Sequence, residues 1–411
     1  MLEIGEGETA AGCDDQIHDR PAQAQAAGLA GEAADDLGPP LDLAQRAFEK
    51  IGGPKPFAKP GAGLSGRGDS APIEVRLRAG LRPRRLVLRR LAMILIPMTP
   101  DAKPRSAPGA SLDLLSLLRC PRCRRPVHVG DEAVCESGHH FQVVEGVPLL
   151  VLDDDDASSK KQHDHQRDLY DRTWGGGRPY RLENWQKAYL RRLEKVWETC
   201  GPAAPFIDVG AGGDAYTVIE AARRGIPSVG SDLSLEGMRS ARRFAEQQGV
   251  SDRCLFVVAT VENLPFPEAT FGAAAGIAIM EHVPDDRAAI AEVARVIQPS
   301  GRAYFTVPNS LAGAPFVLRR FYSRHDRRVG HLRHYSGAEL EEKCSSAGLG
   351  RIQTLYTVHW EKVVQLGLHL VLGQAGIPHD RLWWWLESLD ARHGLSPRGL
   401  HLHLVVAKDG Q

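Results

Sequence analysis

The sequence predicts an α/β fold in which a mostly parallel sheet carries helices on both faces. From residue 205 onward, short apolar runs alternate with amphipathic stretches, as successive βαβ units require. The first of these runs ends in an acid and a glycine-rich turn, FIDVGAGG. The chain has 411 residues, of which 43% are hydrophobic and 25% charged, so it is long enough for more than one globular domain.

Seven apolar runs are the predicted strands. In chain order they are FIDVG, PSVGSD, CLFVVA, GAAAGIAI, RAYFTVP, RIQTLYTV and HLHLVVA. Amphipathic stretches between the early strands predict a helix through Arg224, a second from Ser234 to Gln248 and a third over 286–297. A further helical stretch over 184–200 leads into this domain, and there is no internal repeat.

The region in front of the sheet has a different composition. Residues 1–110 are rich in Ala, Gly, Pro and Asp and then in Arg, without a sustained helical or strand period. They are predicted to be largely disordered, or to be an extension from a start codon assigned too early, with the native protein beginning near Met98. A basic targeting or nucleic-acid arm is the alternative.

Four segments follow this region in the predicted organisation. A small module occupies 111–152, and 153–165, with its run of four Asp, is predicted to be a solvated linker. The main domain spans 166–411. Within it, 311–336 is a predicted substrate cover and 358–408 a helical and β addition.

Charge and cysteine usage limit the function classes. Lys plus Arg and Asp plus Glu each number 51, so the net charge is zero and there is no global basic field for nucleic acid. The start of the chain lacks a basic and apolar leader, and no run of about 18 apolar residues occurs. Three of the seven Cys lie close together beside a His, which indicates metal binding in a reducing cytoplasm.

The strongest constellation is the glycine turn together with a second acid. Asp208 closes a buried strand, and Gly210 and Gly212 allow the backbone to approach a ligand without a Cβ in the way. Asp232 ends the next strand, where a carboxylate can accept both hydroxyls of a ribose. Dinucleotide sites favour a third spaced glycine, and Asp208 would repel a pyrophosphate. The cationic, phosphate-free S-adenosylmethionine is therefore the predicted cofactor.

These motifs resemble the type 11 family of S-adenosylmethionine-dependent methyltransferases over about 166–309. Besides Asp208, Gly210, Gly212 and Asp232, the similarity rests on the stretches 262–266, 281–285 and 292–301. Asp214, Thr260 and Gly272 depart from the family pattern. The resemblance implies a Rossmann-like seven-stranded sheet. It also implies that Asp208 and Gly210 line the methionine side, and that the ribose and adenine are held by Asp232, Leu233, Val261 and Glu262, near Ile277.

Acceptor chemistry is predicted for two segments. A general base is needed only for a weakly acidic acceptor, and His282, after the fourth strand, is the candidate; helix capping is the alternative. The cover segment combines Arg with aromatic residues, and Arg324, His331 and Tyr335 are its candidate contacts with an anionic acceptor. A solvated surface loop is the competing interpretation.

The small module carries a predicted structural zinc site. Cys120 and Cys123 form a C-x2-C pair, and Cys135 and His139 supply a second pair, with His140 as a rival ligand. Four such ligands leave no open position. The module resembles the zinc site of bacterial rRNA guanine-N1 methyltransferases and is zinc-ribbon-like.

The leading functional hypothesis is methyl transfer to a small-molecule or lipid-linked acceptor. An rRNA or tRNA base methyltransferase is the alternative, because of the zinc module and the basic cover segment. A non-catalytic cofactor-binding or activator protein is the second alternative. The apolar stretch 363–372 and the three adjacent Trp at 383–385 also allow an apolar acceptor pocket or peripheral membrane contact, but ordinary packing in the catalytic core is the favoured interpretation.

Overall fold

The computed structural model describes residues 112–152, 157–174, 179–310, 329–359 and 380–410, with residues 319, 323, 326 and 327. The predicted disordered region 1–110 and the apolar stretch 363–372 lie outside the described residues. So does most of 311–328 in the predicted substrate cover, including Arg324. None of the described helices combines the length and the apolar character needed to cross a bilayer.

The small module folds as a four-stranded antiparallel sheet in which each strand pairs with the next. Its strands are β1 (Val127–Val129), β2 (Glu132–Cys135), β3 (His140–Val144) and β4 (Val147–Pro148). Leu118 and Leu150 belong to the same buried apolar cluster as the main sheet. The amide of Leu150 also donates to the carbonyl of Val258, at 2.8 Å. The module therefore shares a core with the main domain.

The main sheet has the seven predicted strands. They are β5 (Phe206–Val209), β6 (Ser228–Asp232), β7 (Cys254–Val258), β8 (Phe271–Ile277), β9 (Ile297–Pro308), β10 (Leu349–Thr357) and β11 (His401–Lys408). Their order across the sheet is β10-β11-β9-β8-β5-β6-β7, and β11 alone runs against the others. All four residues of β5 are buried, as expected for a central parallel strand covered on both faces. The predicted α/β Rossmann-like fold is confirmed.

Seven helices surround the sheet in the described residues. They are α1 (Ala157–Trp174), α2 (Asn184–Trp197), α3 (Tyr216–Arg223), α4 (Leu235–Gln247), α5 (Asp286–Val296), α6 (Gly337–Ser346) and α7 (Asp380–Arg392). Side chains of Ser234, Asp285 and Ser336 cap α4, α5 and α6 by accepting from backbone amides of the first turn.

Helix α1 corrects the predicted organisation, because 157–165 is helical and not a linker. Its buried stripe is polar: His163 and Gln166 are each 5% exposed, and Tyr170 continues the same face one turn later. These positions are three and four residues apart, so they share a helix face. A search for apolar periodicity misses such a helix because the residues facing the protein are not apolar.

Candidate functional site

The candidate active site lies where the strand order of the sheet reverses. The chain runs from β5 outward through β6 to β7 and then returns to the other side of β5 to form β8. In open parallel sheets such a reversal opens a crevice at the carboxyl ends of the strands, where ligands bind. The strand ends that carry Asp208, Asp232 and Ile277 all meet at this edge.

The glycine turn after β5 needs glycine for two reasons. Gly210 and Gly212 have φ angles of +76° and +63°, in the left-handed region that side chains disfavour. A Cβ at Gly210 would also lie 2.7 Å from the side chain of Ile279, and one at Gly213 would lie 2.4 Å from the Trp174 ring. The turn therefore packs closely against Ile279, after β8, on one side and Trp174, at the end of α1, on the other.

Asp208 is a buried carboxyl that is satisfied on one side only. It is 3% exposed, and its Oδ2 accepts a hydrogen bond from the Thr217 hydroxyl on α3. Oδ1 has no hydrogen-bond partner within the described part of the chain. Burial, with the nearby Asp232 and Asp214 carboxylates, raises the pKa of Asp208 to about 8. A cation placed beside Oδ1 would stabilise the ionised form.

Asp232 faces the same cleft from the end of β6. Its carboxylate accepts from the amides of Gly212 and Ser234, each at 2.9 Å, which ties the acid to the glycine turn. Burial raises its pKa. Leu233, next in the chain, is partly buried. The two acids lie near enough for the charge of Asp232 to raise the pKa of Asp208.

The residues predicted for the adenine edge lie on a short helical turn, Val261–Asn263. Val261 is buried, whereas Glu262 is partly buried with its Oε1 3.3 Å from Nε2 of His163 on α1. Ile277 ends β8 and is also partly buried. All three are at the crevice edge.

Helix α1 covers this edge, and sequence reasoning missed its residues. Asp171 accepts from the Ser234 hydroxyl at 2.5 Å and from the Glu236 amide at 3.1 Å. Burial and the negative charges of Asp232 and Glu281 raise the pKa of Tyr170, so its hydroxyl lies near both acids. The only sequence evidence for these residues is the polar stripe of α1, and that stripe can be recognised only after the segment is known to be helical.

The acceptor side of the cleft brings two predicted residues together. The rings of His282 and His331 are 4.7 Å apart between centroids, although 48 positions separate them in sequence. His282 is 5% exposed, and its ring also meets Tyr170 edge to face. Sequence reasoning did not single out Glu281, which lies beside them and is 1% exposed. Burial raises its pKa to about 8.

Tyr335 is placed differently from the prediction. It is fully buried, and its hydroxyl donates to Asp286 at 2.7 Å and to the Met280 carbonyl at 2.8 Å. Lys343 and Arg333 also pair with Asp286. Tyr335 therefore supports the cover from inside the core and does not offer its hydroxyl to an acceptor. The basic and aromatic composition of 311–336 does not show whether Tyr335 contacts an acceptor or packs in the core.

The four predicted metal ligands of the small module converge. Sulfur to sulfur, Cys123 and Cys135 are 3.8 Å apart, and Nδ1 of His139 lies 3.5 Å from Cys120 and 3.3 Å from Cys135. A tetrahedral zinc with Zn–S bonds of about 2.3 Å places its sulfurs about 3.8 Å apart. His140 is exposed and pairs with Glu132, which removes it from the ligand set.

The sheet, its reversal point and the acid–glycine turn define a Rossmann-like α/β domain. Residues 207–305 match the family described as a methyltransferase domain, in agreement with the type 11 motifs. The chain is 30% identical over 159 residues to the ubiquinone biosynthesis O-methyltransferase of Paracidovorax citrulli (strain AAC00-1), covering 36% of this chain and 64% of that protein. It is 31% identical over 119 residues to norajmaline N-methyltransferase of Rauvolfia serpentina, covering 29% and 36%.

The chain thus spans less than two thirds of the length of these two relatives. Among solved structures, the [4+2]-cyclase SpnF aligns at 21% identity over 62% of this chain and 98% of its own, with a TM-score of 0.44.

Proposed function

We propose that this protein is an S-adenosylmethionine-dependent methyltransferase acting on a small-molecule acceptor. The observation that carries the proposal is the shared cleft of Asp208 and Asp232 at the sheet reversal point. One buried carboxylate oxygen there has no partner among the described residues, which suits a cationic ligand. The methyltransferase family match over 207–305 and the O- and N-methyltransferase relatives support it.

The residues of the cleft would divide the work. Bound S-adenosylmethionine would supply an electrophilic methyl group on its sulfonium. Asp208 and Gly210 would hold the methionine part, and Asp232 would accept hydrogen bonds from the ribose hydroxyls. Leu233, Val261, Glu262 and Ile277 would surround the adenine. Helix α1 would cover the site through Tyr170 and Trp174 and exclude water from it. Holding the methyl group and the acceptor in line can lower the barrier by roughly 7–11 kcal/mol in favourable cases.

The acceptor would enter on the side of His282 and His331. While it binds no metal, either imidazole could take a proton from a hydroxyl acceptor, since the two ring centroids are only 4.7 Å apart. The names of the relatives refer to ubiquinone biosynthesis and to norajmaline, so we favour a small-molecule or lipid-linked acceptor over RNA.

Calorimetry on the full chain tests the cofactor. We expect S-adenosylmethionine to bind and NAD to give no heat, because the cleft offers carboxylates where a pyrophosphate would need amides. Asp232→Ala should weaken binding by about 100-fold, on the order of 2.7 kcal/mol. Absence of binding to the wild-type chain would refute the proposal.

We also propose a structural zinc at Cys120, Cys123, Cys135 and His139. The loop that carries Cys120 and Cys123 contacts the turn proposed to face the adenine. Asn263 donates to the Pro121 carbonyl at 3.2 Å, and Arg124 donates to the Leu264 carbonyl at 2.6 Å. Elemental analysis should give one zinc per chain, and Cys120→Ser should abolish it. A wild-type chain purified without zinc that takes up none on addition would contradict this assignment. The sequence-based domain boundaries remain proposals.

A further inference from the structure

We propose that Glu281, His282 and His331 form a second metal site, which takes a divalent first-row transition metal at the acceptor end of the cleft. The metal part of this proposal rests on the cluster itself. Only its use, to bind an oxygen of the acceptor, rests on the proposed function.

The three side chains are close enough to share one ion. Their potential ligand atoms all lie within 4.8 Å of one another, and Nε2 of His331 is 3.9 Å from Oε1 of Glu281. Two atoms each about 2.1 Å from a zinc-sized ion can be separated by up to about 4.2 Å. A tetrahedral ion would hold the two atoms about 3.4 Å apart, so this pair must close by about half an ångström, and His282 must also move closer.

Asp326 orients the histidine that comes from the cover segment. Its Oδ1 accepts from Nδ1 of His331 at 2.9 Å, which leaves Nε2 of that ring directed toward Glu281. A carboxylate that accepts from the second nitrogen of a ligating imidazole is the usual support of a histidine metal ligand. Asp326 also accepts from His334 at 3.0 Å. Its two oxygens are thus occupied by two imidazoles, which favours a supporting role over direct ligation.

Glu281 provides a second, independent observation that points to a cation site. It is 1% exposed, and its Oε2 has no hydrogen-bond partner within the described part of the chain. A buried carboxylate in this state is costly unless a charge compensates it. A divalent ion between Glu281 and the two imidazoles would supply that charge.

The donor set selects the kind of metal. Two imidazoles and one carboxylate suit zinc, cobalt, manganese or iron better than the oxygen-preferring Mg²⁺ or Ca²⁺. Three protein ligands leave at least one position open, as in catalytic metal sites and unlike the closed Cys120–His139 cluster. An oxygen of an acceptor can fill that position, and coordination would lower the pKa of an acceptor hydroxyl.

Cobalt(II) titration of the full chain, prepared with one equivalent of zinc for the cysteine cluster and dialysed free of excess metal, tests the site without cofactor or acceptor, so its result is independent of methyl transfer. Cobalt in a thiolate site gives an intense charge-transfer absorption, whereas cobalt bound by nitrogen and oxygen gives only weak visible bands. We expect one cobalt per chain, detected by calorimetry, with the weak visible bands alone.

Variants assign the binding to the cluster. His331→Asn and Glu281→Gln should each weaken cobalt binding at least tenfold, and Asp326→Asn by roughly 10-fold or more through loss of orientation. His128→Asn, an exposed histidine on β1, is the matched control and should bind like the wild type. His331 lies on the cover and not in the sheet, so its variant tests the site if the Glu281 variant fails to fold.

Three results would overturn the proposal. One is a wild-type chain that binds no cobalt beyond its zinc. The second is binding accompanied by thiolate absorption, which would place cobalt among the cysteines. The third is binding that is unchanged in His331→Asn.

Discussion

Two groups of buried polar side chains lie on the same sheet, and they differ in how completely they are bonded. The first lies on the β9–β11–β10 side. There Asp390 is fully buried and accepts from the amides of Val358 and His359 and from Nδ1 of His359, at 2.8–3.1 Å. His403 lies between the hydroxyls of Tyr304 and Thr357, at 2.8 and 2.7 Å.

The second group lies at the sheet reversal point. Asp208, Glu262 and Glu281 each leave one carboxylate oxygen without a hydrogen-bond partner in the described residues. Burial lowers the pKa of His403 well below its usual value, so that ring is neutral and matched by two hydroxyls. The carboxyls of the second group have no such match. A buried polar group with a structural role forms all its hydrogen bonds within the protein, whereas a group in a binding site keeps a donor or acceptor for the ligand.

The largest effect on stability is expected for a substitution in the fully hydrogen-bonded group around Asp390. Asp390→Ala should lower the free energy of unfolding by about 3–5 kcal/mol, because it leaves an imidazole and two amides without their acceptor. Denaturant unfolding measures this change. Asp409→Ala, at an exposed position, should remain within about 0.5 kcal/mol of wild type. Equal stability of both variants would remove the distinction between the two groups.

Asp208 and Glu281, the buried carboxyls with a strongly raised pKa, should make the free energy of unfolding depend on pH. Asp208 has a folded pKa of about 8, against 3.8 as the ordinary value, and in the metal-free chain Glu281 has one of about 8, against 4.5. The folded chain therefore keeps protons that the unfolded chain has lost, and stability falls as pH rises toward 8. Between pH 6 and 9 we expect a loss of about 2.7 kcal/mol per carboxyl, two pH units below the folded pKa at about 1.36 kcal/mol each. Denaturant unfolding of Asp208→Asn should show a smaller loss, and parallel curves would contradict this explanation.

The same variant should weaken cofactor binding. Asp208→Asn retains an acceptor for Thr217 but removes the charge that faces the cation, so the S-adenosylmethionine dissociation constant should rise by about 10- to 30-fold, or about 1.4–2 kcal/mol. Calorimetry measures it, with the exposed Asp252→Asn as the charge-matched control. An unchanged constant would remove Asp208 from the binding site.

The smallest effect concerns the pH dependence of binding. A cation prefers the ionised Asp208, whose pKa is about 8, so affinity should rise between pH 6.5 and 8.5 by roughly three- to tenfold. The difference between wild type and Asp208→Asn isolates this term from the titration of the ligand itself. If both proteins give the same pH profile, the carboxyl is not the group that responds.

Departures from the family pattern show where sequence reasoning stops. Gly272 replaces a frequent Asp, and the structure gives the reason, since a Cβ there would lie 2.3 Å from the carbonyl oxygen of Thr199. Asp214 stands for a third glycine and accepts from Gln186 of α2 at 2.5 Å. Both changes involve contacts with α2 or with Thr199, two residues beyond its end, and the motif alone does not contain these contacts.

The sequence by itself determined the strands, the glycine turn, Asp232 and the cysteine–histidine set, because each is encoded by residues near one another in the chain and by periods that the backbone imposes. Only the tertiary structure decided that α1 covers the cleft, that His331 meets His282 and Glu281, and that Tyr335 is buried in the core. Those outcomes depend on contacts between segments about 50 to 120 positions apart, joined by polar side chains that leave no apolar period in the sequence.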